Sequence, residues 1–200
     1  MDLRAKILDA ATSLYGETGF RGTTTRQIAQ RAGVNEVTVF RHFGTKTALM
    51  REAIHCALAN LPRVELPHEP SRPREEILAW AHAHWAELWS CRAVIRTALG
   101  EMEERPELLP TEHSPPARAA RELQAYLLAL VERGYIDRSV ETGAATMLLL
   151  GALFGDVMSR DVLPTPYPAD PAVAVERYVD LFLGAIGLDR RARPPIPSSP

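Results

Sequence analysis

Cysteine is scarce: only Cys56 and Cys91 occur in 200 residues. They show no CxxC spacing, and two thiols do not make a disulfide framework, so both are expected as free, largely buried side chains. Asp2–Leu3–Arg4 leads straight into an amphipathic pattern rather than a secretory leader. The richest apolar stretch, Ala144 to Phe154, is shorter than the ~18 residues that cross a bilayer. A cytoplasmic protein with no membrane partner is the expectation. Catalytic signatures are missing too: there is no HExxH, no GxSxG and no phosphate-cradling glycine loop. Glu52 and His55 have the Glu-x-x-His spacing of di-iron bundles, but no second copy accompanies them. His82 and His84 are two apart and point to different sides of a helix, which does not favour a metal site shared with Cys91. No enzyme, no cofactor and no metal is expected.

Net charge is nearly absent as well, at −2, but its distribution is uneven. Residues 1–51 carry eight Lys/Arg against four acids, while the remainder holds 15 bases and 21 acids. A basic N-terminal module on an acidic body suits a partner with a phosphate field.

Within that basic module, Arg21 to Leu49 reads as two short helices joined by a tight turn. Thr24 or Thr25 can cap the first of them. Ile28, Ala29 and Ala32 share one face, with Arg26, Gln27, Gln30 and Arg31 outward. Gly33 supplies the left-handed stop, and Asn35 caps a second helix over Glu36 to Phe43. Helix, glycine turn and capped second helix form the helix-turn-helix plan, whose second helix enters a DNA major groove.

Helical spacing continues on both sides. Asp2 to about Thr18 forms a first helix ending at Gly19, and Phe20 is expected to plug a small core with Leu14, Ile28 and Phe43. Thr45 caps a helix from Lys46 that runs out near Asn60–Leu61–Pro62. Four prolines in residues 62–73 mark a connection. Five further helices are expected: Arg74 to Ser90, Ala93 to Glu104, Ala117 to Arg133, a Ser139-capped helix reaching Arg160, and Ala172 to Gly187. No stretch sustains strand alternation and no internal repeat is visible. The fold class is all-α, with about nine helices. The expected domains are 1–50, a three-helix DNA-binding domain; 51–187, a larger helical domain; and 188–200, a compositionally disordered tail.

Ile28–Ala29, Ala32–Gly33–Val34, Asn35, Thr38, Phe40, Arg41, His42, Phe43, Lys46 and Leu49 together resemble the N-terminal signature of the TetR family of one-component transcriptional regulators. The resemblance implies a regulator, a repressor by the family majority, that binds DNA as a homodimer and is released by a small-molecule effector. It places Thr24, Thr25, Arg26, Asn35, Glu36, Val37, Thr38, Phe40, Arg41, His42 and Lys46 on or beside the DNA. Chemically, Arg41 suits a bidentate contact to guanine, Glu36 a cytosine amino group, and Val37 a thymine methyl. Thr24, Thr38 and Lys46 suit phosphate. Two positions depart from the pattern. Phe40 lacks the hydroxyl of the usual tyrosine, and Val37 stands where glycine, alanine or proline is usual.

In the larger domain, Met147 to Gly155 and Val175 to Ile186 mix large apolar residues with glycines. A helix apolar over most of its circumference must be covered on more than one side. Small residues allow close approach, and a four-helix dimer interface including Leu150, Gly151, Phe154, Tyr178, Phe182 and Ile186 is expected. The family resemblance of VDLFLGAIG implies the same. An effector pocket is implied among Trp80, His84, Trp85, Trp89, Met102, Tyr126, Met147 and Phe154, suited to an apolar or aromatic ligand. The alternative is a helical dimeric ligand-binding protein or enzyme with a residual DNA module.

Overall fold

The computed structural model describes residues 2–59, 64–108, 115–164 and 168–188. Among the described residues there are eight α-helices and no strand. They are α1 (Leu3–Gly22), α2 (Thr25–Ala32), α3 (Glu36–Phe43), α4 (Lys46–Ala59), α5 (Pro73–Gly100), α6 (Pro115–Glu132), α7 (Thr142–Ser159) and α8 (Pro171–Ala185), with a 3-10 turn at Pro106–Leu108. The expected count of nine falls by one because Arg74 to Ser90 and Ala93 to Glu104 belong to a single helix, α5. No proline or glycine lies between Pro73 and Gly100, so no backbone donor is lost. Ser90 is accommodated by donating its hydroxyl to the Glu87 carbonyl at 2.8 Å.

Two compact units result. The first comprises Met1–Leu61 with Cys91–Pro115, and the second comprises Pro62–Ser90 with Pro116–Pro200. This differs from the expected boundary at residue 50. Leu49, Met50, Ala53 and Ile54 of α4 are buried with Ile7, Ala11, Leu14 and Tyr15 of α1, so α4 belongs to the N-terminal unit. Val94 and Leu108 join that same core. Phe20, Leu14, Ile28 and Phe43 are all in it, as expected. Gly19 (φ 71°) kinks α1 rather than ending it, and one more turn follows to Gly22.

The second unit is built around Ile77, Trp80, Leu123, Leu127, Leu149, Leu153, Val179 and Phe182. Glu141, not Ser139, caps α7: its carboxylate accepts from Gly143 N at 3.3 Å and Ala144 N at 2.6 Å. The Ser139 N–H instead closes a turn on Asp137 Oδ1 at 2.8 Å. Helix α7 holds an 18-residue window of mean hydropathy 1.4, long and apolar enough to cross a membrane by a test that the core helix of a soluble protein also passes. The window is longer than the Ala144 to Phe154 run because the helix begins at Thr142 and continues to Ser159. The expected tail lies outside the described residues except Leu188, which is buried in this core. Of the proline-rich connection at 62–73, positions 62 and 63 also lie outside them, whereas Leu66 is buried and donates its N–H to Glu122 Oε1 at 2.6 Å.

One charged group sits deep in this unit. The fully buried Asp156 carboxylate accepts from Trp85 Nε1 at 2.7 Å and pairs with Arg160 at 2.7 Å. Arg160 also donates to the Pro168 carbonyl at 2.7 Å. Asp156→Ala therefore strips a buried guanidinium of its carboxylate, and we expect a loss of about 3–5 kcal/mol in urea unfolding. Asp156→Asn, which retains an acceptor for Trp85, should lose less.

Candidate nucleic-acid interface

The helix-turn-helix is specified by short-range chemistry. The Thr24 hydroxyl accepts from Gln27 N at 3.2 Å while the Thr24 N–H donates to Gln27 Oε1 at 2.8 Å, a reciprocal capping box. Gly33 ends α2 with φ 69°, which a side chain would resist, and Val34 N returns to Ala29 O at 2.9 Å. Asn35 then caps α3 by accepting from Val37 N at 2.9 Å. The two helices are tied at their first turns, where the Thr25 hydroxyl donates to Glu36 Oε1 at 2.6 Å.

Helix α3 has eight residues, too few to be stable alone, so packing holds it. Val39 and Phe43 are buried four apart, and this orients everything else. Val37 and Arg41, also four apart, project from the opposite side, with Val37 72% exposed. Phe40 is 47% exposed, and Arg41, His42, Asn35, Thr24 and Arg26 are exposed, with Thr38 and Thr25 half-buried. Arg31, by contrast, is held by Glu17 at 2.6 Å. This face offers a guanidinium, a carboxylate, hydroxyls and an apolar edge, the groups that read and grip a DNA groove.

Lys46, expected at phosphate, is half-buried within its own unit. Its Nζ donates to the Phe20 carbonyl at 2.5 Å and lies 4.2 Å from the centroid of the Phe20 ring. Burial, then the neighbouring Arg105 charge, holds its ammonium below the ordinary lysine range, with Glu101 acting in the opposite sense. Residues that the sequence left aside also enter. Arg4 pairs with Glu52 at 2.6 Å and lies 4.5 Å from the Phe43 ring centroid. Glu101, in an acidic run with Glu103 and Glu104, accepts from Phe20 N at 2.8 Å. Contacts so distant in sequence leave no periodic signal.

In the second unit the expected effector residues separate. Trp80 and Tyr126 are core, with the Tyr126 hydroxyl donating to Glu76. His84 stacks on Trp80, and Trp85 on Trp89, each with centroids 5.1 Å apart. Met147 is 64% exposed and Phe154 is also outward, while Met102 is exposed and belongs to the other unit. A cavity of about 20 Å³ is lined by Trp80 and His84 together with Val64, Glu65, Ala83, Glu87, Arg118, Ala119 and Glu122. It is the size of one water and more polar than expected. Of the expected interface residues, Gly151 and Phe154 face outward, Leu150 and Tyr178 are half-buried, and Phe182 and Ile186 turn into their own core. The outward positions of α8 include Leu181 and Val173 instead. No group of three or more metal-ligating side chains occurs among the described residues.

A capped, glycine-stopped helix pair that presents an exposed polar face from a small helical unit defines a helix-turn-helix DNA-binding regulator. Residues 7–53 match the family model described as bacterial regulatory proteins, tetR family. The chain is 51% identical over 49 residues to the HTH-type transcriptional repressor Rv3405c of Mycobacterium tuberculosis, covering 24% of this chain and 26% of that one. It is 26% identical over 155 residues to the HTH-type transcriptional regulator YvkB of Bacillus subtilis, covering 78% and 81%. The crystal structure of the TetR family transcriptional regulator PfmR from Thermus thermophilus superposes with a TM-score of 0.67 at 26% identity, covering 92% and 99%. The chain is therefore similar to TetR family transcriptional regulators over most of its length.

The Thr25–Glu36 bond gives a direct test of the turn. Thr25→Val should lower stability by about 1 kcal/mol in thermal denaturation, and Thr25→Ser should retain it.

Proposed function

We propose that the chain is a repressor that binds a pseudo-palindromic operator as a homodimer and leaves it when a small molecule occupies the second unit. The observation that carries this reading is the outward face of α3, where Val37, Phe40, Arg41 and His42 meet solvent while Val39 and Phe43 hold the helix from behind. Arg41 reads guanine, Glu36 meets a base edge from its Thr25-bonded position, and Thr24, Thr25, Arg26, Asn35 and Thr38 serve the backbone. The similar protein of Mycobacterium tuberculosis is a transcriptional repressor, which supports that role. Acting on DNA, the protein works in the cytoplasm.

A second copy covers the outward faces of α7 and α8. Met147, Leu148 and Leu181 are exposed there, and Gly151, Gly155 and Gly184 have open space where a Cβ would stand. Two-fold symmetry would set the recognition helices one DNA turn apart, ~34–36 Å. The effector is an apolar or aromatic molecule with a polar group for His84, Glu87 or Arg118. The cavity of about 20 Å³ must open to admit it, and that differential fit is what shifts the population away from the DNA-bound form.

Selection from a random DNA pool at near-physiological salt tests the reading. A pseudo-palindrome should emerge, and Arg41→Ala should cost about 1–3 kcal/mol while relaxing preference at one base pair per half-site. Failure to enrich any sequence would sink it. For the interface, Leu181→Arg should convert the dimer to monomer in sedimentation velocity. A variant that sediments like wild type would place the interface elsewhere.

A further inference from the structure

Phe20 stands where α1 gives way to the helix-turn-helix, and side chains from far along the same unit occupy both of its backbone polar groups. Its N–H donates to Glu101 Oε1 at 2.8 Å, and its carbonyl accepts from Lys46 Nζ at 2.5 Å. The ring is only 7% exposed, and Lys46 Nζ and Arg105 Cζ lie 4.2 Å and 4.3 Å from its centroid. Gly19 makes this possible. A Cβ on it would stand 2.7 Å from Glu101 Oε1, and its φ of 71° disfavours any side chain. Thr23 then returns both its N–H and its hydroxyl to the Gly19 carbonyl, at 3.1 Å and 2.7 Å. The next residue is Thr24, the cap of α2. The grip on Phe20 therefore sets the direction in which the chain enters α2, and the Thr25–Glu36 bond passes that direction to α3.

We propose that Glu101 and Lys46 are positioning residues for DNA binding, acting on Phe20 from opposite sides. The proposal rests on the operator-binding reading above. Lys46 donates to that carbonyl and lies against the buried ring, so it braces one side of Phe20. A carboxylate on the neighbouring amide fixes the other side of the same residue.

Binding to the selected operator should be measured as a function of salt for wild type, Lys46→Met, Glu101→Ala and Glu101→Gln. Lys46→Met and Glu101→Ala should each weaken binding about tenfold, the size of one lost charge-assisted hydrogen bond. The Glu101→Ala plot of log affinity against log salt should run parallel to wild type, and Lys46→Met should keep a deficit on extrapolation to about 1 M salt. Glu101→Gln keeps an acceptor for the Phe20 amide and should stay close to wild type. A Lys46→Met deficit that vanishes on extrapolation to about 1 M salt, with a slope shallower by about 0.9, is the signature of a phosphate contact alone and would overturn the proposal. So would a Glu101→Ala protein that binds like wild type. Amide exchange at Phe20, read by NMR without DNA, separates the two readings. It should be at least about tenfold faster in Glu101→Ala than in wild type or Glu101→Gln, and equal rates overturn the grip itself. Slow wild-type exchange in a protein that selects no DNA would instead overturn the operator reading, and the positioning role with it. If Glu101→Ala does not fold, Lys46→Met and its salt slope decide the matter.

Discussion

Burial of Val39 and Phe43 on one side of α3 is the constraint on which the DNA-facing geometry depends. Eight residues cannot sustain a helix in water, so α3 exists only while those two side chains are packed beneath it. Once they are, helical geometry leaves Val37 and Arg41 no choice but to point away. The reading face thus follows from the core of the first unit rather than from the face itself. Capping by Asn35 and the Thr25–Glu36 bond fix where the helix begins and how it lies on α2. Arg4 against Phe43 adds to the packing from α1.

The second unit solves a different problem. Helix α7 is apolar over most of its circumference, yet only part of it is satisfied within its own unit. Its inner side carries Leu149, Leu153 and the buried Asp156, whose charge is met by Arg160 and Trp85. Such a pair is costly to desolvate and adds little net stability, but it tolerates one arrangement of α5, α7 and the chain near Pro168 far better than others. The outer side has no such definition and consists of large apolar residues alternating with glycines.

The sequence was most legible where the determinants are neighbours along the chain. Thr24, Gln27, Gly33 and Asn35 lie within twelve positions and specify two helix starts and one end through hydrogen bonds to nearby residues. Phe43 was expected in the core, and Val39, four positions before it, shares its buried face. Periodicity said less about α8, because a helix apolar all round does not disclose which side meets its own core, and Phe182 and Ile186 turned inward. The continuity of α5 was hidden for a related reason: a serine and a weak apolar pattern resemble a break until packing is known. Least legible was the setting of Phe20, held by a carboxylate 81 positions away. Nothing in the run Glu101–Met–Glu–Glu distinguishes a buried carboxylate from its solvated neighbours.

The outward apolar edge of α3 has a thermodynamic consequence. Val37 and Phe40 stand in water in the free protein, and a groove that receives them removes that surface from solvent. Burial of apolar surface lowers the heat capacity, so the enthalpy of complex formation becomes more negative as temperature rises. A regulator built on arginine and phosphate contacts alone would owe its heat capacity change to other sources. Here two side chains on one short helix give the complex a temperature dependence that the electrostatic contacts do not.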